Sequence, residues 1–402
     1  MPPFQFWMFD AMKQRLVTWA PVWLLALTAF VFVSTEFVPV GILAALGQSF
    51  NMSAVAVGPM LTVYAAVVAL ASLPAVLLFA RFERKKLLLG LMSVFIISHG
   101  ICVWAPSYDI LLSGRVGIAL THALFWAIAP ALVVRLAPEG QGAKALSIFA
   151  TGCVLALVLG IPLGRVIGQL VGWRSIFGLI AVLTLIMMLL LWRGLPNLPA
   201  THGGSWRSLP ALARNKALLW LYVLTMVLVT AHYSVYTYLE PLLQEYFGYT
   251  ANITTIILLV FGAAGLIGSA LFSRYQGKYA QQLLMLAIAI MGSCMAILPF
   301  IASHLWLLLP LCILWGTGMM LMCLSLQSKG LKLAPDATDV AMAIYSGLFN
   351  VGIGSGALLG SIVAAKYGVI QNGNWAALLI VIAILPLLCL LKARRAELVK
   401  AH

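Results

Sequence analysis

The chain has 402 residues, 63% of them hydrophobic and 8% charged, with a formal net charge of +14 at pH 7. A soluble domain carries roughly 25% charged residues and needs a polar exterior. A water-soluble globule is therefore excluded, and a lipid bilayer is the solvent that fits.

The tail up to Leu16 carries Asp10, Lys13 and Arg15, and the apolar run after it is too long for the h-region of a signal peptide. Trp19–Leu46 is therefore read as a retained first span, and the tail before it as one that includes Met8 and Met12 as alternative starts. Twelve apolar runs follow: Trp19–Leu46, Ala54–Ala80, Leu87–Trp104, Ile110–Val134, Ala145–Val171, Ile176–Trp192, Ala217–Leu243, Ile253–Phe272, Leu283–Ala302, Leu305–Leu326, Val340–Ala365 and Trp375–Leu391. Most lie near the ~20 residues that a membrane-crossing helix needs. With both termini cytoplasmic, 20 of the 24 Lys and Arg residues fall in alternate connections on one side. The basic charge is thus a topology signal under the positive-inside rule, and nucleic acid is not an expected partner. The six cysteines all lie inside apolar runs without metal-ligand spacing and read as small packing residues. No phosphate loop, zinc motif or nucleophile elbow is present, so an enzyme is not expected.

The longest polar connection, Arg193–Lys216, holds Pro196, Pro199 and the pair Gly203-Gly204, and divides the spans six and six. The expected organisation is a cytoplasmic tail at 1–18, a six-helix bundle at 19–192, a cytoplasmic linker at 193–216, a second bundle at 217–391 and a C-terminal tail at 392–402. Arg135-Leu136-Ala137-Pro138-Glu139 recurs as Lys332-Leu333-Ala334-Pro335-Asp336. In the fifth span Gly152, Ala156, Gly160, Gly164, Gly168 and Gly172 step by four. Gly352, Gly356, Gly360, Ala364 and Gly368 repeat the pattern in the eleventh, offset by 196 from Ala156 onward. Such ridges let membrane helices approach backbone to backbone. They read either as static packing or, because they recur where two halves would rock, as a gating surface, with Gly160, Pro162, Gly164, Gly356 and Gly360 as its candidates. Related halves of this kind suit alternating access in a secondary transporter.

Gly160-Ile161-Pro162-Leu163-Gly164, followed by Gly172-Trp173-Arg174, resembles the fifth-helix antiporter motif of the major facilitator superfamily. Arg115 in Gly114-Arg115-Val116-Gly117 sits where that superfamily places a fourth-helix arginine. Arg81 and Arg84 lie in the second–third connection, where the family carries a charged gating signature. Ala80 stands there at an aspartate place and Glu83 at a glycine place, so the usual charge lock is altered. Ser34-Thr35-Glu36-Phe37-Val38-Pro39-Val40-Gly41 and Thr230-Ala231-His232-Tyr233 resemble bacterial sugar efflux transporters of the drug/proton antiporter branch. The resemblance implies an all-α membrane fold of about twelve helices in two pseudo-symmetric bundles, and proton-driven export of arabinose-like sugars.

Glu36 is the deeply placed carboxylate of the chain, and an ionisable group at membrane depth marks function by default. Burial penalises its charged form and a nearby cation favours it. The expected proton-coupling set is Glu36, Arg115 and His232, with Arg115 as the counter-ion; the competing reading is a permanent Glu36–Arg115 pair that only fixes packing. Arg115, His122 and Trp126 share one face of the fourth span, and His232, Tyr236 and Glu240 step by four in the seventh. Candidates for holding a sugar are Tyr64, His122, Trp126, Tyr236, Glu240, Trp315, Gln327, Tyr345 and Asn350. No cofactor is expected, the proton gradient being the energy source. The expected partners are a small sugar, protons and the bilayer of a bacterial inner membrane around a monomer. The alternatives are a nucleoside or multidrug antiporter of the same branch and, in another class, a proton-independent facilitator or channel.

Overall fold

The computed structural model describes residues 3–52, 57, 59–200 and 204–400, without the side chains at 3–17, 40–41, 43–44, 59, 157, 161–163, 165–166, 169, 251 and 394–400. The helices long enough to matter are α1 (Pro3–Phe37), α2 (Pro59–Leu78), α3 (Arg84–Trp104), α4 (Tyr108–Leu136), α5 (Gly142–Val171), α6 (Trp173–Gly194), α7 (Lys216–Tyr236), α8 (Ala251–Ile301), α9 (Leu305–Leu333), α10 (Thr338–Tyr367) and α11 (Asn372–Lys400). No strand occurs among the described residues. In hydrocarbon every backbone polar group must find an internal partner, and a helix supplies one within the segment.

Eleven helices among the described residues are long and apolar enough to cross a membrane. One of them, α8, has 51 residues, about 77 Å at the helical rise against a hydrocarbon core of roughly 30 Å. Its backbone leaves helical geometry at Tyr279 (φ −124°, ψ 31°), just after Arg274 and Lys278. It is therefore two spans joined at a kink, and the total among the described residues is the twelve read from the sequence. The protein is a multi-pass membrane protein.

Two compact units result: Met1–Tyr64 with Arg81–Ala200, and Ala65–Ala80 with Thr201–His402. Inside the first, α1 packs on α5, and α3 packs on α4 and α6. Inside the second, α7 packs on α10 and α11, and α8 packs on α9 and α11. The first-to-fifth pairing thus recurs as seventh-to-eleventh.

The glycine ridges make that pairing. A Cβ on Gly152 would strike the Ala26 carbonyl; one on Gly164 would lie 3.1 Å from Val38, and one on Gly168 3.0 Å from Ile42. In the second unit a Cβ on Gly356 would lie 2.7 Å from the Thr230 carbonyl oxygen, and one on Gly360 would strike the Ser234 carbonyl. For Gly160, Gly164, Gly356 and Gly360 these contacts are those of the static-packing reading. Their missing side chains are filled by the first helix of their own unit, which is what close packing requires. The Pro162 side chain lies outside the described residues. Both ridges end on a glycine that only glycine tolerates well: Gly172 (φ 91°, ψ 156°) and Gly368 (φ 89°, ψ 146°). Each glycine N–H returns to its own helix at 3.1 Å, on Gly168 and Ala364 respectively.

Gly356→Val is expected to lower the melting temperature in detergent by several degrees, about 1–3 kcal/mol of overpacking. Gly354→Ala, where nothing lies within 4 Å of the added carbon, is expected to leave it unchanged or raise it. Equal melting of the two variants would remove the close-approach account.

Candidate functional site

In α1, Phe32 is stacked between Phe95 of α3 and Phe125 of α4, at 4.1 and 4.3 Å between ring centroids. This fixes the rotation of α1 and turns Thr35 and Glu36 toward α3 and α4. The helix stops at Phe37 and continues as a 3-10 turn, Val38–Ile42. Pro39 causes the stop, because it has no N–H to give the carbonyl of Thr35 four residues back.

Arg115 supplies the missing donor. The side chain is 1% exposed, and its Nη1 donates to the Thr35 carbonyl at 2.7 Å. The guanidinium lies over the Tyr64 ring, 4.4 Å from its centroid, within the range of a cation–π contact. Its Nε and Nη2 are buried without a hydrogen-bond partner, as are Ser34 Oγ, Tyr64 Oη and His122 Nδ1.

The permanent Glu36–Arg115 pair of the competing reading is not formed among the described residues, although Arg115 stays within electrostatic reach of Glu36. Among the described residues, the ionisable side chain within 4 Å of the Glu36 carboxyl is His122, whose Nε2 stands 3.6 Å from Oε2. The physical reason is the axial rise: His122 lies two turns beyond Arg115 on one face of α4, about 10 Å along the helix. The break in α1 occupies Arg115 with a backbone carbonyl. His122 also meets Tyr64 edge-on at 5.5 Å and Trp126 at 5.9 Å, and Trp126 packs on Phe149 at 5.5 Å.

His99 of α3 was missed by the sequence reading. Its Nδ1 donates to the Phe95 carbonyl at 2.8 Å, since a carbonyl only accepts. In the neutral ring Nε2 then accepts from the Thr35 hydroxyl, 2.9 Å away. Thr35 is therefore held at both its side chain and its carbonyl.

The second unit has an uncharged counterpart. The glycine contacts keep the offset of 196, because Gly160 faces Ser34 where Gly356 faces Thr230, and Gly164 faces Val38 where Gly360 faces Ser234. At that offset Glu36 corresponds to His232. His232 is 2% exposed and lies among rings: stacked on Tyr236 at 5.3 Å and Phe261 at 5.9 Å, and edge-on to Trp315 at 5.4 Å. His232 Nδ1 and Trp315 Nε1 are buried without partners. No acid joins the described contacts of this box. Phe261 was also missed, since one phenylalanine in an apolar span gives no signal.

Other candidates fall elsewhere. Glu240 is exposed and pairs with Gln244 at 3.1 Å. The regular helix ends at Tyr236, and Glu240 joins none of the described contacts of the ring box. Gln327 is half-buried on α9, about 18 Å along the helix from Trp315. The Asn350 amide donates to the Ser346 carbonyl of its own helix at 2.9 Å, and Tyr345 is buried beside Phe349. These three are not brought to the ring box.

In the α2–α3 connection Arg81 is exposed, while Arg84 is buried and donates to the Phe82 carbonyl at 2.8 Å. Glu83 caps α3 by accepting from the Lys85 and Lys86 amides at 2.9 and 2.8 Å. It also accepts from the Leu198 amide at 2.6 Å, and the Arg84 amide donates to the Leu198 carbonyl at 2.8 Å. Lys85 Nζ and Arg135 Nη1 donate to the Leu195 and Pro199 carbonyls. The residue at the altered motif position thus ties the chain after α6 to the first unit.

The family model described as Major Facilitator Superfamily matches residues 25–338. The chain belongs to the major facilitator superfamily. Among solved structures it is similar to FucP, a superfamily transporter crystallised in the outward conformation, with a TM-score of 0.73 at 18% identity over 92% of this chain and 98% of that one. It is also similar to the human organic anion transporter MFSD10 (TETRAN), with a TM-score of 0.75 at 15% identity over 97% and 100%. At such identities the likeness shows the fold. A superfamily member with two repeated bundles is a transporter by architecture, and the chemistry must come from the residues described above.

Burial pushes the Glu83 carboxyl up, but the Leu198, Lys85 and Lys86 amides and the Lys86 charge outweigh it and hold the group below its ordinary 4.5. The charged form is the one that stabilises, so its contribution is complete above about 4.5 and is lost as pH falls through the lowered value. Glu83→Ala is expected to cost about 0.5–2 kcal/mol at neutral pH. In melting curves the gap from wild type should shrink in acid; a constant gap would show that the cap is not what holds the connection.

Proposed function

We propose that the protein is a proton-coupled secondary transporter exporting small sugars, arabinose-like or related glycosides, across a bacterial inner membrane with both termini cytoplasmic. The observation that carries the reading is the pair of equivalent places in the two halves. One holds an acid, an arginine and two histidines around a broken helix; the other holds a buried ring box.

Glu36 is the coupling acid. It is 27% exposed, so a proton can reach it, and it lies 3.6 Å from His122, which can exchange that proton. Inward proton flow delivers about 2.3 kcal/mol per charge per 100 mV, enough to drive a neutral solute outward when one protonated state favours one facing of the cavity. In the ring box, Tyr236, Phe261 and Trp315 offer stacking surface for the apolar face of a sugar, while His232 Nδ1 and Trp315 Nε1 are idle partners for its hydroxyls. That a fucose:proton symporter of E. coli is among the similar structures supports the pairing of sugar with proton. The same rings would stack a nucleobase, which makes nucleoside export the second reading.

In proteoliposomes loaded with labelled arabinose, an imposed inward proton gradient is expected to accelerate efflux by wild type, and Glu36→Gln to show efflux independent of pH. Unchanged pH dependence in Glu36→Gln would remove Glu36 as the coupling acid. Movement of uridine but not arabinose would replace the cargo.

Trp315→Phe keeps the ring and deletes the N–H. It is expected to weaken arabinose binding about tenfold, near 1.4 kcal/mol, while the pH profile stays as in wild type. Wild-type affinity would place the cargo outside the box.

A further inference from the structure

The carbonyl that Pro39 leaves open next to Glu36 has a consequence for how a proton is sensed. Resting on Glu36 as the coupling acid, we infer that Arg115 has two seats, the Thr35 carbonyl when Glu36 is protonated and the Glu36 carboxylate when it is not, and that Pro39 exists to create the first. Thr35, Pro39 and His99 are thereby positioning residues for the coupling step.

The seat is built and rigid. The Thr35 carbonyl lacks its helical donor, and Arg115 Nη1 occupies it at 2.7 Å. His99 holds the Thr35 side chain at 2.9 Å and is itself anchored to the Phe95 carbonyl at 2.8 Å. Its ring packs on Phe95 at 4.2 Å and Phe177 of α6 at 6.0 Å. Thr35 therefore stays in place, and the side chain free to change partner is the arginine.

Arg115 is under-used where it sits. Two of its three nitrogens, Nε and Nη2, are buried without acceptors, although leaving a buried charged donor unmet costs more than a neutral one. A carboxylate on the very next residue would draw those donors into a charge-assisted pair. The observed arrangement, with the guanidinium on the carbonyl and no N···O contact to Glu36 within 4 Å, is the one a protonated Glu36 permits. The Tyr64 ring under the guanidinium, 4.4 Å away, offers the cation a surface on the way between seats.

The second half supplies an internal control. At the offset of 196, Val235 replaces Pro39 and Ala231 replaces Thr35. At the offset of 197 that relates Arg135 to Lys332, Cys312 replaces Arg115. Val235 has an N–H, α7 runs unbroken through that position to Tyr236, and the Ala231 carbonyl also accepts from Ser234 Oγ at 2.8 Å. Proline, open carbonyl and arginine occur together in one half and are absent together from the other.

Deprotonation would then be felt in the backbone. When Arg115 crosses to the carboxylate, the Thr35 carbonyl is left unmet and the turn after Phe37 must re-form around it. That turn carries Val38 and Ile42, which fit against Gly164 and Gly168 of α5. The other titratable or charged groups around Glu36 are Tyr64 from α2, His99 and Cys102 from α3, and Arg115 and His122 from α4. The described neighbours on α5, Gly160 and Gly164, carry no charge, and α6 brings Phe177.

The test uses the full-length protein in detergent. A hydrophobic carbodiimide, which reacts with protonated carboxyls, is applied as a function of pH, and labelling at Glu36 is read by mass spectrometry. Glu36→Gln must lose this label. Pro39→Ala and Pro39→Gly both return an amide donor to the Thr35 carbonyl and release Arg115 to the carboxylate. Each is expected to move the labelling midpoint to lower pH by about one unit, a tenfold change. Wild-type midpoints in both variants would overturn the two-seat arrangement, even if Glu36→Gln abolishes pH-dependent arabinose efflux. If Glu36→Gln leaves that efflux pH-dependent, the coupling assignment fails instead, whatever the midpoints show.

Discussion

Inside a bilayer, a backbone carbonyl that loses its helical donor has no water to turn to and must be met by another part of the protein. The carbonyl of Thr35 is in that position because of Pro39, and much of the first unit is arranged around it. Arg115 is buried deep in α4 because a backbone acceptor waits for it there. Tyr64 lies beneath the guanidinium, and His99 steadies the residue that owns the carbonyl. Phe32, wedged between Phe95 and Phe125, sets the rotation of α1 that brings these groups together. Glu36 is neighbour to an arginine already engaged elsewhere, and so its own contact within 4 Å is His122.

The scaffold around this feature is repeated. Glycines of α5 and α10 take the first helix of their respective units against bare backbone, in the same register and with the same terminal left-handed glycine. Close approach of this kind leaves little room for adjustment, so equivalent positions in the two halves have equivalent surroundings. That turns a sequence offset into a structural statement: Glu36 and His232 stand at one place in two copies of one design. The copies have diverged in chemistry while keeping their packing, the first accumulating charge and a broken helix, the second an uncharged box of rings around an intact one.

The spans, their number and the repeat were legible because the bilayer imposes them on composition: apolar runs of set length, basic residues between them, glycine at every fourth position. Glu36 was legible for the same reason, as a charge where charge is costly. That His122 is what stands within 4 Å of it was not. Which of two residues on one helix face meets a given acid depends on axial shifts of a few ångströms between α1 and α4, and no periodicity records those. His99 could have been found by the rule that exposed Glu36, since it too is a polar group deep in an apolar run. Phe261 could not, because an aromatic residue in a span is equally at home facing lipid, packing or ligand. Glu240 is exposed just past the end of α7, where spacing alone could not say whether it faces water or cargo. The glycine ridges were legible as close-approach surfaces, and the structure supplies what spacing could not, the helix that each ridge meets in its own half.

That Glu36 makes no direct pair with Arg115 suits the role proposed for it. A permanent, well-formed pair with Arg115 would hold the carboxylate charged and make proton uptake costly. A carboxyl with no cation in reach would be hard to deprotonate in so apolar a setting. An arginine within electrostatic reach but bonded to a neighbouring carbonyl avoids both extremes. The carbonyl competes with the carboxylate for one guanidinium, and hydrogen bonds to a charged group are worth only about 1.5–3 kcal/mol net. Across that range the two partners differ by at most about 1.5 kcal/mol, which does not exceed the energy that one proton delivers across the membrane, about 2.3 kcal/mol per 100 mV. Proline at position 39 sets that balance by what it withholds, a single N–H, and it does so at the point where α1 leaves its helical path.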